Sequence, residues 1–175
     1  ELKDLYDELE GEHRRLKQEH DKLQAQHKEL AMYESVEVTW VVDEFESKAD
    51  ADTTVKSQTV PVAGYDMGLE LEFEGEGKAR QLGIYFRHRG GLTWAPIRIG
   101  GSSVTLESSV RGGQHTITRT LADGDQIDKC SGAYGWPKCV ALSDLNKKTW
   151  GLVKEDKITI KAKIRIEKLV RGEVL

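Results

Sequence analysis

Three histidines, His13, His20 and His27, recur every seven residues near the start of the 175-residue chain. Imidazoles repeated at that spacing suit three kinds of chemistry: polar layers that fix register between helices, a pH-sensitive seam, or nitrogen ligands for a transition metal. A second run, Glu70, Glu72 and Glu74 with Glu76 just beyond, puts carboxylates on alternate residues. In an extended strand these side chains share one solvent face. They read either as a solvated face neutralised by Arg80, Arg87 or Arg89, or as a groove for a basic segment. Lys161, Lys163 and Arg165 form the opposite pattern, which reads as protection of a sheet edge. Neither of the remaining histidines, His88 and His115, suggests a Ser–His–Asp or Cys–His set. Gly100-Gly-Ser-Ser and Gly112-Gly-Gln-His read as turns, not as phosphate loops. Cys130 and Cys139, nine residues apart with no His at zinc-ligand spacing, read as reduced and inert. The sequence is thus expected to be non-enzymatic, with no cofactor and no metal site.

The histidines belong to a longer pattern. Leu2, Leu9, Leu16, Leu23 and Leu30 recur every seven residues, and Tyr6, His13, His20 and His27 fall three residues before successive leucines. With leucines at d and the Tyr/His series at a, the segment holds over four unbroken heptads and predicts a coiled coil. Glu12 at g lies five residues before Lys17 at e, the pairing of a parallel arrangement. The polar a layers are assigned to register and oligomer state, and the leucines carry the burial. Residue 1 is not Met and the helical pattern is already under way there, so the sequence reads as a piece of a longer chain.

Composition changes near Tyr33: residues 1–32 contain no Val, Ile, Thr or Pro, and β-branched residues and glycines dominate after Ser35. Val36, Val38, Trp40 and Val42 alternate with polar or exposed positions. So do Leu69, Leu71 and Phe73, and, most clearly, Ile158, Ile160, Ala162, Ile164 and Ile166. Period-two alternation with glycine-rich turns predicts a largely antiparallel sheet protein of seven or eight strands. Hydrophobic residues at 38% supply one such core. A net charge of −4 and a pI near 5.8 give no basis for nucleic acid as a partner, and no apolar run approaches the ~20 residues needed to cross a membrane.

The order of these features resembles a TRAF-type MATH domain. The resemblance rests on Tyr33-Glu-Ser-Val-Glu-Val-Thr-Trp-Val-Val-Asp-Glu-Phe45 after the heptads, on Gly64 to Gly77 as a third strand with its glycine hairpin, and on Gly135-Trp-Pro-Lys-Cys-Val-Ala-Leu-Ser-Asp-Leu145. Trp150 to Asp156 before the last strand completes it. It implies a mainly β chain: an eight-stranded antiparallel β-sandwich over 34–170, preceded by a parallel three-stranded coiled coil over 1–33 and followed by a tail, 171–175. It also implies binding of a short extended peptide along a sheet edge. Where receptor-binding members carry an Arg and a Tyr on the third strand and an Asp in its hairpin, this chain has Glu70, Glu72 and Glu76. Tyr134 stands where one serine of the groove would be. The expected function is a cytoplasmic, homotrimeric scaffold or adaptor that binds a protein or peptide, basic in one reading of the glutamates. The alternative is a purely structural assembly module. Nucleic acid and membrane insertion are not expected.

Overall fold

Residues Leu2–Met32 form one helix, α1, because the segment is rich in Leu, Glu, Lys and Gln and contains no proline. Its 31 residues span about 46 Å at the usual helical rise. The computed structural model describes residues 2–91, 96–110, 115–128 and 132–168. The expected tail, 171–175, and the last two residues of the expected sandwich lie outside that set, as do Cys130 and the turn at Gly112–Gly113. No helix among the described residues is long and apolar enough to cross a membrane.

The chain turns from helix to strand without a linker: β1 runs Tyr33–Val42, where branched side chains replace straight ones. The junction is held from the far end of the chain. The Lys168 amide donates to the Met32 carbonyl at 2.7 Å, and the Arg165 guanidinium lies 3.5 Å from the centre of the Tyr33 ring. Arg165 is fixed in turn by donating from Nη1 to the Gly100 carbonyl.

Two antiparallel sheets enclose the core. One has the order β1-β12-β7-β8, where β12 is Lys157–Glu167, β7 is Ser103–Leu106 and β8 is Ile117–Thr120. The short β11, Val153–Lys154, joins it beside β12. The other has the order β10-β5-β4-β2: β10 is Ala133–Ala141, β5 is Gln81–Gly91, β4 is Tyr65–Glu74 and β2 is Val55–Lys56. There β3, Val60–Val62, pairs with β4. A small ribbon joins β6, Ile97–Arg98, to β9, Gln126–Ile127. The described residues therefore carry twelve β segments against the eight strands expected. Several are only two or three residues long, too short to leave an alternation.

Inward residues of both sheets pack together: Ile158, Ile160, Ala162, Ile164 and Ile166 from β12 against Met67, Leu69, Leu71, Leu82, Ile84 and Phe86 from β4 and β5, all buried. The alternation of β12 is thus realised residue by residue. Its basic stripe is not edge protection, because β12 lies inside its sheet between β1 and β7. Lys161 there meets Glu107 at 2.7 Å.

The β11–β12 hairpin also closes the sandwich end. Glu155 and Asp156 both adopt positive φ, as a two-residue turn between twisted strands requires. That conformation aims Asp156 at the six-residue helix α2, Phe45–Asp50, whose own N-cap, Glu44, makes no side-chain cap. Asp156 accepts from the Glu46 amide through Oδ1 at 2.7 Å and from the Phe45 amide through its carbonyl at 2.9 Å, so the turn caps the helix.

Candidate protein-interaction site

Residues opposite one another in an antiparallel pair share a face, and the register of β4, β5 and β10 sorts the site residues. Leu69, Leu71 and Phe73 oppose Phe86, Ile84 and Leu82 and point inward. Glu70, Glu72 and Glu74 therefore point outward, opposite Tyr85, Gly83 and Gln81. On β10, Gly135 opposes Tyr85 and belongs to that outer face, whereas Tyr134 and Trp136 oppose Phe86 and Ile84 and belong to the inner side. Among the described residues β10 has β5 on one edge and no strand on the other.

The outer face is not the solvated glutamate row expected from the alternation. Glu70 is only 2 % exposed. Side chains from both neighbouring strands cover it. Arg87 of β5 donates from Nη2 to Glu70 Oε1 at 2.6 Å, and Lys56 of β2 places its ammonium 3.9 Å from Oε2. Of the three arginines expected to neutralise the row, Arg87 does so. Arg80 turns instead to Asp52 and the Ala49 carbonyl, and Arg89 donates to the carbonyls of Ser57 and Leu69. Glu74 accepts from the Tyr85 hydroxyl at 2.7 Å. Tyr85 lies across Gly83, where any Cβ would come within 3.0 Å of the ring.

The crowding shifts protons. Burial, and then the neighbouring Glu70 carboxylate, push the Glu72 carboxyl above the ordinary glutamate range, with Arg87 opposing. Burial and the Glu74 carboxylate likewise raise the Tyr85 phenol, keeping it a donor. Folding therefore increases the proton affinity of Glu72, so its ionised form opposes folding once the pH passes the ordinary glutamate range. Glu72→Gln is expected to raise the melting temperature relative to wild type at pH 7.5 and to leave it unchanged at pH 4. Calorimetry at the two pH values decides this, and an offset independent of pH removes the claim.

Of the residues expected to form the groove, Glu70 and Glu72 are brought together. Glu76 is exposed in the turn beyond β4, and Tyr134 sits on the other side of its sheet, its hydroxyl donating to Asp125 at 3.1 Å. Tyr85 and Lys56 complete the cluster without having been expected there. Tyr85 was findable, since folding β4 onto β5 about the Gly75–Gly77 hairpin sets it opposite Glu70. Cys139 is buried and free, and burial pushes its thiol up to about 11, against the opposing pull of Arg119, which leaves it unreactive at neutral pH.

On α1, Tyr6, Leu9, Leu16 and Leu23 are 59–68 % exposed, and His13, His20 and His27 are exposed on the same heptad face. The side chains of Leu2 and Leu30 lie outside the described set. Exposed ion pairs Glu10–Arg14 and Arg15–Glu19 support the helix at i,i+4 spacing.

No curated protein matches the sequence. Residues 37–164, well over half of the chain, match the family described as the MATH domain. That match begins inside β1 and ends inside β12, enclosing both sheets and the outer-face cluster, and the chain belongs to the MATH domain family.

Proposed function

We propose that the chain is an assembly-and-recognition module: three copies join through α1 as a parallel coiled coil, and each sandwich offers the free edge of β10 to an extended segment of a protein partner. The proposed division is an oligomerising helix over 1–33 and a binding sandwich over 34–170. MATH domains are protein-interaction modules, which supports recognition in general. The observation that carries the specific reading is β10 itself, a nine-residue strand at the end of its sheet with no strand beyond it among the described residues. Such an edge presents backbone donors and acceptors that an incoming strand satisfies. Trimerisation multiplies a weak single-site affinity by effective concentration. The reading is non-catalytic and cytoplasmic.

A second reading, a structural assembly module without linear-motif binding, draws on the buried Glu70–Arg87 pair, which spends charge inside the sheet face. One experiment separates the two. Sedimentation equilibrium of the purified chain is expected to give the mass of three chains, and panning it against phage-displayed nonapeptides is expected to enrich a linear motif. A trimer that enriches nothing supports the structural module, and a monomer at micromolar concentration sinks both.

A further inference from the structure

We infer that the Glu70–Glu72 carboxyl pair is a subsite for one lysine or arginine side chain of the segment bound at β10, an inference that rests on the edge-binding reading above. The first ground is an unmet acceptor. Glu70 is 2 % exposed, yet no donor among the described residues reaches its Oε2 at hydrogen-bond distance. The Lys56 ammonium is the cation on that oxygen, and at 3.9 Å it stands beyond hydrogen-bonding range while itself 59 % exposed. A buried acceptor without a donor is costly, more so when charged.

The second ground is the balance of charge. Among the described residues the groups acting on Glu72 are Glu70 and Glu74 from β4 and Tyr85 and Arg87 from β5, with Lys56 of β2 on the far oxygen of Glu70. Among the described residues three carboxylates face two cations, and the Tyr85 hydroxyl is neutral and already donates to Glu74. The cluster is one positive charge short. Burial and the Glu70 carboxylate raise the proton affinity of Glu72, so on acidification a proton taken up there makes up that charge. An ammonium or guanidinium group makes it up equally and brings several donors. Proton and partner cation are thus alternative occupants of the same carboxyl pair.

The third ground is reach. A strand added beyond β10 lies three strand spacings from β4, roughly 14 Å. No side chain spans that distance alone, and shorter residues fall short; a lysine or arginine stem, a glutamate side chain and the hydrogen bond between them are needed together. What lies between suits them. Gly135 on β10 and Gly83 on β5 present no side chain, and the Tyr85 ring lies across Gly83 beside the carboxylates. A methylene stem crosses a ring face at low cost and its cation gains from the π system.

The test uses the same nonapeptide library and the full chain. Lysine or arginine is expected at one enriched position on wild type. In the synthetic peptide, replacing that residue by glutamine is expected to weaken binding about tenfold on wild type and less than about twofold on Glu72→Gln. The lysine peptide is also expected to bind wild type more weakly at pH 5 than at pH 7.5, where the proton no longer competes. Glu70→Gln risks unfolding because it strips Arg87 of its partner, so the half-buried Glu72→Gln, which keeps that pair, is the deciding variant. An enriched motif with no cationic position, or an equal lysine-to-glutamine loss in both proteins, overturns the subsite and leaves edge binding standing. Enrichment of nothing overturns edge binding and the subsite with it.

Discussion

Replacing Leu16 and Leu23 together by aspartate is expected to reduce the particle from a trimer to a monomer at micromolar concentration, read by sedimentation equilibrium. Both leucines sit on the heptad face of α1 and are 59 % and 64 % exposed in the single chain, so in the proposed trimer other chains must bury them. In a trimer the change removes six buried leucines, at ~2 kcal/mol each about 12 kcal/mol, before any cost of inserting carboxylates. The histidine layers between them bury little apolar surface and do not compensate. A helix of this length, freed of its partners, is marginal in water, so the far-UV helical signal is expected to fall with the mass. The sandwich is expected to persist. Among the described residues it is tied to α1 at Met32 and Tyr33, and its own core lies between the two sheets. Unchanged fluorescence from Trp40 and Trp136, both packed against that core, is the internal control. A double variant that still sediments as three chains would falsify the heptad assignment.

The contrast between stalk and sandwich shows what a linear reading carries. The helix of α1 and the isoleucine alternation of β12 come from local patterns, and each was legible because its period matches the geometry of one element. Strand order is not local. The basic stripe of β12 reads identically on an edge or an inner strand, and only pairing with both β1 and β7 places it inside. The burial of Glu70 is of the same kind. On its own strand it is an outward residue among outward residues; Arg87 and Lys56, arriving from β5 and β2, cover it. Tyr134 is placed apart from the glutamates for a simple reason: one step of register puts it opposite Phe86, on the other side of its sheet from Glu70 and Glu72. The two-residue strands β2, β6, β9 and β11 are set by their partners and leave no period to read.

The largest effect within the sandwich is expected from Gly135→Ala, and it bears on the edge proposed for recognition. A Cβ at this position would lie 2.1 Å from the Ile84 carbonyl oxygen and 2.7 Å from the Tyr85 Cα, both backbone atoms of β5. Neither can swing aside as a side chain would, and β5 is held on its other edge by β4 along nearly its whole length. The strand that yields must be β10. Lifting it withdraws Trp136 from Phe86, its ring partner at 6.0 Å, and opens one end of the core. Forced overpacking of this kind costs about 3 kcal/mol, which for a domain of this size lowers the melting temperature by roughly 10 °C. Gly83→Ala is the informative comparison. Its Cβ would first meet the edge of the Tyr85 ring at 3.0 Å and the Pro137 carbonyl at 3.1 Å, and a ring can rotate away. The smaller loss is therefore expected at Gly83. The mass of the Gly135→Ala protein is expected to stay that of the wild type, since α1 is untouched, while its capture of any peptide enriched by wild type is lost. A melting temperature within about 2 °C of wild type, with peptide capture intact, would mean that the tight β10–β5 approach does not govern the edge on which recognition depends.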